Sequence, residues 1–238
     1  MRRIPIFGEM PSLKEQIKIW VAKLKPDPYR GMDAKQRFER IHDANDWKDS
    51  ESVSGPGSNE EQTKEVISIL EKVIASYSPK TIVDIPCGDF AWMQKVDMEG
   101  IQYVGGDIVP SLIEANQERY GSESRTFREI DLIQDALPSG EILLVRDCLV
   151  HLNTEQIKSV IRGVKMRSIQ YLLTTTFTGK YVNHDIHTGD WRPLNLQLAP
   201  FNFPEPVEIF NENNTENDGK YSDKSLGLWK VTDLPNYE

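Results

Sequence analysis

The sequence has few cysteines, no long apolar run and a deficit of basic residues, and each of these excludes a class of protein. Only Cys87 and Cys148 occur among 238 residues, so no disulfide framework is predicted and the cytoplasm is the expected location. No apolar run approaches the roughly 18 residues of a membrane span, and Pro5, Gly8 and Pro11 interrupt any signal-peptide core. The formal net charge of −9 argues against sequence-independent binding to nucleic-acid phosphates. We therefore expect neither a membrane nor a nucleic acid as partner.

The chain also lacks the Gly-x-Gly-x-x-Gly turn that is typical of dinucleotide-binding dehydrogenases. Residues 81–92 instead read Thr-Ile-Val-Asp-Ile-Pro-Cys-Gly-Asp-Phe-Ala-Trp. The β-branched start predicts a buried strand that leads into Asp84, and Gly88 permits backbone torsions or a close ligand approach that a side chain would prevent. A strand, a carboxylate and a glycine turn are parts of a nucleoside-binding βα unit.

A second carboxylate lies at the spacing that such a unit requires. Residues 101–107 read Ile-Gln-Tyr-Val-Gly-Gly-Asp, a short strand whose last residue is Asp107. It follows Asp84 by about 20 residues, as a ribose-binding carboxylate does. An ionised carboxylate only accepts hydrogen bonds, and two vicinal ribose hydroxyls supply two donors. The alternative is that Asp107 is an ordinary turn residue at the end of a strand.

Beyond residue 81 the apolar strand patterns alternate with helical ones, which predicts a parallel sheet with helices on both faces. The alternation stops after the fifth strand, where residues 207–210 and 226–231 indicate an antiparallel pair joined by a mobile, polar loop. The other predicted strands are 81–85, 103–106, 126–130, 142–145 and 171–175, and the predicted helices are 60–77, 91–96, 110–119 and 153–166.

Two helices are predicted before this α/β unit. A capping box begins the first at residue 12, and it continues with one apolar face to about residue 24. Asp33 is placed to cap the second, with Phe38 and Ile41 facing inward. Such helices can close over a site or pack on a partner. The predicted domains are an N-terminal helical cover, residues 1–50, and an α/β domain, residues 51–238.

The polar stretch 49–59, Asp-Ser-Glu-Ser-Val-Ser-Gly-Pro-Gly-Ser-Asn, leads into the predicted helix 60–77. Asn59 and Gln62 form a capping pair for that helix. A glycine-rich loop at a helix N-terminus presents amide hydrogens that suit an anion. A plain linker between the cover and the α/β domain explains the composition equally well.

Together these motifs resemble class I S-adenosylmethionine-dependent methyltransferases. The resemblance covers residues 54–231 and rests on Val-Asp-Ile-Pro-Cys-Gly-Asp, Gly-Gly-Asp107, Asp131-Leu132 and the run Leu-Leu-Val-Arg-Asp-Cys-Leu-Val-His-Leu over residues 143–152. It is nearest to a small subgroup with an Asp-x-Pro-Cys-Gly-Asp turn, some of which resemble glycan O-methylating enzymes. Only the middle glycine of the family's three-glycine turn, Gly88, is present. The resemblance implies a Rossmann-like, seven-stranded and mostly parallel sheet whose last strand is antiparallel.

The resemblance also implies S-adenosylmethionine as cofactor, with S-adenosylhomocysteine as product. Asp147, at the tip of the fourth strand, would face the positive sulfonium, because opposite charges attract strongly where water is scarce. The other implied cofactor contacts are Asp84, Cys87, Gly88 and Asp89 at the methionine end, Asp107 and Ile108 at the ribose and adenine, Asp131 and Leu132 at the adenine, and Ser54, Gly55 and Ser58 closing from the helix end.

Methyl transfer to oxygen needs in-line geometry and a base for the hydroxyl proton. His151 follows Asp147 by four residues, and its ordinary pKa near 6.5 suits a base at neutral pH. With Asp147 it forms the predicted catalytic pair. The alternative is that His151 only caps or packs against the following helix. The thiols of Cys87 and Cys148, each after a neighbouring strand, are expected to lie near the cofactor without forming a redox pair.

Residues 183–203 follow the fifth strand and combine aromatic, amide, carboxylate and basic side chains. Loops past strand ends collect specificity residues in α/β proteins, and aromatic faces with polar partners suit a sugar. Arg192 could instead clamp a carboxylate or phosphate, and the aromatics could belong to a structural lid. No metal is predicted, although His184 and His187 are possible ligands. The candidate substrate residues are His184, Asp185, Trp191, Arg192 and Asn195.

The leading functional hypothesis is methylation of a hydroxyl on a small molecule or glycan. The Asn-Pro-Pro-Tyr signature of amino-directed nucleic-acid methyltransferases does not occur in the sequence. One rival is a non-catalytic module that binds a nucleoside without turnover. The other is an NAD-dependent oxidoreductase, which the missing glycine motif disfavours. The sequence makes no prediction about oligomeric state.

Overall fold

A seven-stranded sheet forms the centre of the computed structural model, which describes residues 26–46, 54–179 and 182–238. The strand order is β3-β2-β1-β4-β5-β7-β6. Neighbouring strands from β3 through β5 are parallel, and β7 is antiparallel to both β5 and β6. The strands are β1 (Thr81–Asp84), β2 (Gln102–Asp107), β3 (Arg125–Glu129), β4 (Gly140–Val145), β5 (Ile169–Phe177), β6 (Glu208–Asn211) and β7 (Lys224–Lys230).

This topology confirms the Rossmann-like sheet and the antiparallel last strand that the sequence predicts. The chain leaves β1 on one side for β2 and returns on the other side with β4, so the strand order reverses between β1 and β4. In open α/β sheets, ligands bind outside the carboxyl ends of the strands at such a reversal. The topology alone therefore indicates where a site should lie.

Local sequence signals set the helix boundaries. Asp33 and Asn153 each form a capping box with the glutamine three residues on, at the starts of the two helices predicted there. Asn59 accepts a hydrogen bond from the backbone of Gln62 at the start of the longest helix. The longer helices are α1 (Ala34–Ala44), α2 (Glu60–Tyr77), α3 (Pro110–Tyr120) and α4 (Thr154–Lys165), and a single helical turn, Glu216–Gly219, lies between β6 and β7.

Successive residues of β4 point to opposite faces of the sheet and belong to two apolar clusters. Leu143 and Val145 pack in one cluster with the apolar stripe of α4, while Ile142 and Leu144 pack in the other with α2 and α3. Helices therefore cover both faces, as predicted, and the sheet is buried between them. Among the described residues, no helix is both long and apolar enough to traverse a bilayer.

The predicted helix at residues 91–96 is wrong. The structure has only a short 3-10 turn there, Met93–Lys95. Phe90 adopts a left-handed backbone conformation with φ 58°, and the side chains of Trp92 and Met93 are buried. So few residues make too few hydrogen bonds to offset helix nucleation, and burial of these side chains sets the local path instead. The helix predicted at residues 12–24 lies outside the described residues.

Candidate functional site

A cavity of about 730 Å³ lies at the carboxyl ends of the strands, within the size range of small-molecule sites. Asp84, Asp107, Asp131 and Asp147, which end or follow β1, β2, β3 and β4, all line it. Parallel strands bring their carboxyl ends to one edge of the sheet, so residues far apart in the sequence meet here. The four carboxylates are thus gathered in one crevice.

Asp107 is buried, and the loop after β1 is built around its carboxylate. Its Oδ2 accepts a hydrogen bond from the Gly88 backbone N–H at 3.1 Å, and its Oδ1 accepts from the Val109 N–H at 3.1 Å. Burial raises the pKa of Asp107, and these hydrogen bonds oppose that rise. A carboxylate has about four lone-pair sites. The backbone donors of Gly88, Ile108 and Val109 therefore leave capacity for hydroxyl donors from the cavity.

Asp84 has a more structural environment, although it also lines the cavity. The hydroxyl of Tyr103 donates to its Oδ2 at 2.7 Å. Burial raises the pKa of Asp84 to about 7, because the Tyr103 hydrogen bond only partly offsets the loss of water. At neutral pH this carboxyl group is therefore partly protonated, and the hydrogen bond from Tyr103 of β2 holds it in place.

The end of β3 supplies a polar carboxylate beside apolar surface. Asp131 accepts from the Ile133 N–H at 2.8 Å and from the Gln134 side-chain amide at 2.6 Å. Ile108 and Leu132 line the neighbouring wall of the cavity. An apolar slot with a fixed acceptor at its edge suits a flat heterocycle that carries an amino group.

The loop before α2 contacts the turn after β1. Ser54 Oγ accepts a hydrogen bond from the Asp89 N–H at 3.1 Å. Gly88 has φ +54°, and a Cβ there would lie 2.3 Å from Ser54 Oγ, so a side chain is excluded twice. Gly55 and Ser58 line the cavity beside Ser54, whereas Asp89 lies outside the lining and its carboxylate accepts from the Ala91 N–H instead.

Cys87 and Cys148 both line the cavity as free thiols. Burial raises the pKa of each thiol, and nearby carboxylates raise it further. Thiolates, not thiols, react with oxidants and electrophiles. Both residues therefore act as small packed side chains next to the site.

Gly57 closes the same loop against the opposite wall of the cavity. A Cβ at Gly57 would lie 2.8 Å from Asp147 Oδ2 and 3.4 Å from Lys224 Nζ. Both atoms are held in an ion pair and cannot move aside cheaply. We expect Gly57→Ala to lower the free energy of unfolding by about 1–3 kcal/mol, as overpacking does, measured by urea denaturation.

Gly163 offers the matched control, because it lies inside α4 and a Cβ added there would have no neighbouring atom within 4 Å. Gly163→Ala should raise stability by about 0.5–1 kcal/mol, since alanine loses less backbone entropy in a helix. Equal effects of the two substitutions would contradict a tight contact at Gly57.

His151 lies in the 3-10 turn Leu149–His151 that follows β4, and it lines the cavity. Its Nδ1 lies 3.0 Å from the carbonyl oxygen of Asp190. A carbonyl only accepts, so Nδ1 carries the proton and the lone pair of the neutral ring is on Nε2. Burial lowers the pKa of His151. The neutral, proton-accepting form is therefore the form present at neutral pH.

Three aromatic rings form one side of the cavity. Trp191 packs edge-on against Tyr221 at 4.8 Å and against Phe177 at 6.0 Å between ring centroids. Trp191 is 42% exposed, which is unusual for so large an apolar side chain. The segment between β6 and β7, expected to be a mobile loop, adds a polar rim to this wall. Its lining residues are Asn214, Glu216, Asn217, Lys220 and Tyr221.

The other candidate substrate residues do not line the cavity. Arg192 is fully buried, and its guanidinium donates to the carbonyl oxygens of Leu149 and Val150. Burial lowers its pKa to about 10. Because its side chain is enclosed away from the cavity, it cannot clamp a substrate there. Asp185 accepts from the backbone and hydroxyl of Thr154. These contacts hold the loop in place. His184 and Asn195 likewise bond to backbone carbonyls, those of Val182 and Gly179.

No cluster of three or more His, Cys, Asp or Glu side chains suited to a metal occurs among residues 26–46, 54–179 and 182–238. His184 and His187 thus lie in no such cluster within those ranges.

The described part of the N-terminal region covers one side of the site. Phe38, His42 and Asp46 line the cavity. Arg37 ties α1 to the loop after β5 by donating to the Thr188 carbonyl at 3.0 Å. That residues 1–50 form a separate cover stays a prediction.

Sequence reasoning missed a buried group of charges beside Asp147. Lys224 Nζ lies 2.6 Å from Asp147 Oδ2, and Arg146 Nη1 lies 3.3 Å from the same oxygen. Glu212 contacts both cations. No sequence signal pointed to this group, because Lys224 precedes the predicted strand 226–231 and lies opposite Phe177 of β5 only in the folded protein.

Comparisons with known proteins place this fold among methyltransferases. No protein-family model matches the chain, and neither does any curated protein. Among solved structures, the N-methyltransferase NodS from Bradyrhizobium japonicum WM9 with S-adenosyl-L-homocysteine is similar at 15% identity and a TM-score of 0.59, over 83% of this chain and 98% of that one. Human N-acetylserotonin methyltransferase with S-adenosylmethionine is similar at 12% identity and a TM-score of 0.53, over 90% and 66%. The methyltransferase domain of bacterial CtHen1-C is similar at 14% identity and a TM-score of 0.53, over 71% and 98%.

Proposed function

We propose that this chain, which has the fold of class I methyltransferases, is an S-adenosylmethionine-dependent methyltransferase that acts on a hydroxyl of a small molecule or glycan. One observation carries the proposal: the carboxylates after four successive strands line a single cavity of about 730 Å³. A nucleoside with a charged sulfur substituent presents a diol, an amino group and a cation to such a set.

The residues present fit this cofactor. Asp107 retains acceptor capacity for two ribose hydroxyls, and Ile108 and Leu132 provide an apolar slot for adenine beside the Asp131 carboxylate. Gly88 allows backbone to approach where a side chain would clash. When bound, S-adenosylmethionine supplies an electrophilic methyl group. We assign Asp147 to the sulfonium end, and Ser54, Gly55 and Ser58 to the closing loop.

His151 is the proposed general base. Its Nδ1 proton is directed at the Asp190 carbonyl, so its Nε2 takes the proton from the acceptor hydroxyl as the oxygen attacks. The lowered pKa keeps the ring neutral and ready to accept that proton at pH 7. The surrounding walls hold the acceptor and limit water, which favours in-line attack.

The aromatic wall is the proposed acceptor surface. A sugar stacks its apolar face on an aromatic ring while amides and carboxylates bond its hydroxyls. Trp191 and Tyr221 offer the rings, and Asn214, Asn217 and Glu216 lie along the same wall. This combination supports a polyhydroxylated acceptor over a purely apolar one.

We expect Trp191→Ala to raise KM for the acceptor by about 10-fold, because a stacking surface worth about 1.4 kcal/mol is removed. KM for the methyl donor should change little, since the donor contacts lie at the other wall. Met166→Ala is the matched control, because Met166 is 79% exposed and lies at the end of α4. A parallel rise in both KM values would place Trp191 outside the acceptor wall.

The function is tested by a screen of acceptors with labelled methyl donor, starting with deoxysugars and nucleotide sugars. We expect label on at least one hydroxylated acceptor and its loss in His151→Ala. Binding of S-adenosylhomocysteine with no transfer to any acceptor would favour a non-catalytic nucleoside-binding module instead.

A further inference from the structure

Four charged side chains from three strands meet beneath the cavity. Arg146 and Asp147 follow β4, Glu212 follows β6, and Lys224 begins β7. Lys224 Nζ lies 2.6 Å from Asp147 Oδ2 and 3.5 Å from Glu212 Oε2. Arg146 lies 2.8 Å from Glu212 Oε2 and 3.3 Å from Asp147 Oδ2. We refer to these four residues as the charge cluster.

Stability does not explain the charge cluster. Arg146, Glu212 and Lys224 are each at least nine-tenths buried, and moving ions out of water costs several kcal/mol per ion. Within the described part of the chain, Arg146 Nε and Glu212 Oε1 are buried without a hydrogen-bond partner. Apolar side chains of similar size would stabilise the fold as well or better. The cluster therefore has a cost that a functional role would explain.

The position of the charge cluster points to that role. Arg146, Asp147 and Lys224 line the cavity, and Glu212 lies behind them, 2% exposed. Asp147 has φ +51°, a strained conformation of the kind found at functional sites. Gly57 packs directly over the Asp147–Lys224 pair, so the pair is covered on that side.

The formal charges of the charge cluster cancel. Lys224 and Arg146 contribute two positive charges, and Asp147 and Glu212 contribute two negative charges. Without Glu212 the cluster would be net positive beside the position assigned to the sulfonium, whereas without Lys224 it would be net negative. The methyl donor is a sulfonium cation and its product is a neutral thioether, so the net charge here affects the binding of the donor much more than that of the product.

We propose that Glu212 and Lys224 are specificity-determining residues that set how strongly the site prefers the charged methyl donor over its neutral demethylated product. This inference rests on the proposed function and deepens it. A balanced charge cluster lets Asp147 favour the donor enough for binding, while the product still leaves after transfer. Both residues act through the field at the sulfonium end and not by direct transfer of a proton.

Other titratable groups near Asp147 must stay in one state during the test. At pH 8 the His151 ring is neutral, because burial keeps its pKa below the ordinary value of about 6.5. The charged and titratable groups that face Asp147 or its partners are Arg146, Lys224, Glu212, Glu216, His151, Cys148 and Asp84. The pKa of Asp84 is about 7, so at pH 8 its carboxyl group is mostly ionised.

The test measures Kd for S-adenosylmethionine and S-adenosylhomocysteine by calorimetry at pH 8, and reports the product-to-donor Kd ratio. Glu212→Gln should lower that ratio by about 10-fold, because a net positive cluster repels the sulfonium. Lys224→Met should raise it by about 10-fold, because a net negative cluster attracts the sulfonium. General destabilisation cannot shift the ratio in opposite directions.

Three further variants keep the test decisive if a single variant folds poorly. The double variant Glu212→Gln/Lys224→Met removes one charge of each sign and should restore the wild-type ratio. Lys224→Arg keeps the charge and should also leave the ratio unchanged. Lys158→Met removes an ion pair with Glu155, 2.8 Å apart on α4 and outside the cavity lining, and should leave the ratio unchanged.

Ratios that stay within 2-fold of wild type in both single variants, or that shift in the same direction, would overturn the inference while leaving the proposed function intact. A wild-type protein that binds neither ligand would overturn the proposed function, and the inference with it.

Discussion

Replacing Asp107 with alanine is expected to weaken binding of S-adenosylhomocysteine by about 100-fold or more, since hydrogen bonds to charged groups are worth about 1.5–3 kcal/mol each. Two ribose hydroxyls would lose their acceptor. The backbone N–H groups of Gly88 and Val109 would lose theirs as well, and the turn after β1 would loosen. Calorimetric titration of the purified protein measures this without knowledge of the acceptor.

Asp107→Asn separates the two effects, because the amide keeps one acceptor oxygen and nearly the same volume. It should bind more weakly than wild type and more tightly than Asp107→Ala. Asp97→Asn is the control, because Asp97 also accepts from a backbone N–H, that of Glu99, but at an exposed turn outside the cavity. Binding by Asp107→Ala within 3-fold of wild type would show that the nucleoside lies elsewhere.

Replacing His151 with asparagine is expected to lower kcat by about 100- to 10,000-fold, the range that general-base catalysis contributes. The asparagine amide can still donate to the Asp190 carbonyl, so the local hydrogen bond is retained while the base is lost. Binding of S-adenosylhomocysteine should stay within 2-fold of wild type. The measurement is steady-state methyl transfer with the acceptor found in the screen.

The pH profile adds a second readout for His151. Burial lowers its pKa, so the neutral base persists to a lower pH than an exposed histidine would allow. The rate should stay level from pH 8 to pH 7 and fall only below the ordinary histidine value of about 6.5. His42→Gln is the control, because His42 lines the cavity from α1 but does not follow a strand. A kcat for His151→Asn within 3-fold of wild type would show that His151 is not the general base and only packs against its neighbours.

The strand-tip carboxylates could be located from the sequence because their positions depend on local signals. A β-branched run, an acidic residue and a glycine turn define β1 and Asp84 within a few residues. Alternation of strands and helices then places the ends of β2, β3 and β4 at the same edge of the sheet. The aspartates at or just after those strand ends therefore lie close together without any further contact having to be known.

The partners of those carboxylates could not be found in the same way. Lys224 reaches Asp147, and Glu212 reaches Lys224, only because β7 inserts between β5 and β6, a pairing of distant segments. The contribution of Phe38 and His42 depends likewise on how α1 packs across the cavity. No spacing in the sequence reports such contacts.

The loop after β5 shows the opposite case, in which residue type suggested substrate contacts for side chains that lie outside the cavity lining. Arg192, Asp185 and Asn195 have side chains that suit a polar substrate, yet each bonds to the backbone of this region. Buried polar groups must find partners, and in a segment without regular strands these side chains supply them. Of the five candidate substrate residues predicted from the sequence, only Trp191 lines the cavity.

The claim on which the account depends is that the crevice at the ends of β1 to β4 holds an adenosyl sulfur compound. Thermal unfolding with saturating S-adenosylhomocysteine or NAD tests it most directly, because a ligand that binds the folded state raises the Tm. We predict a higher Tm with S-adenosylhomocysteine, no change with NAD, and a much smaller rise with S-adenosylhomocysteine in Asp107→Ala. Stabilisation by NAD alone, or an equal rise in Asp107→Ala, would contradict the account.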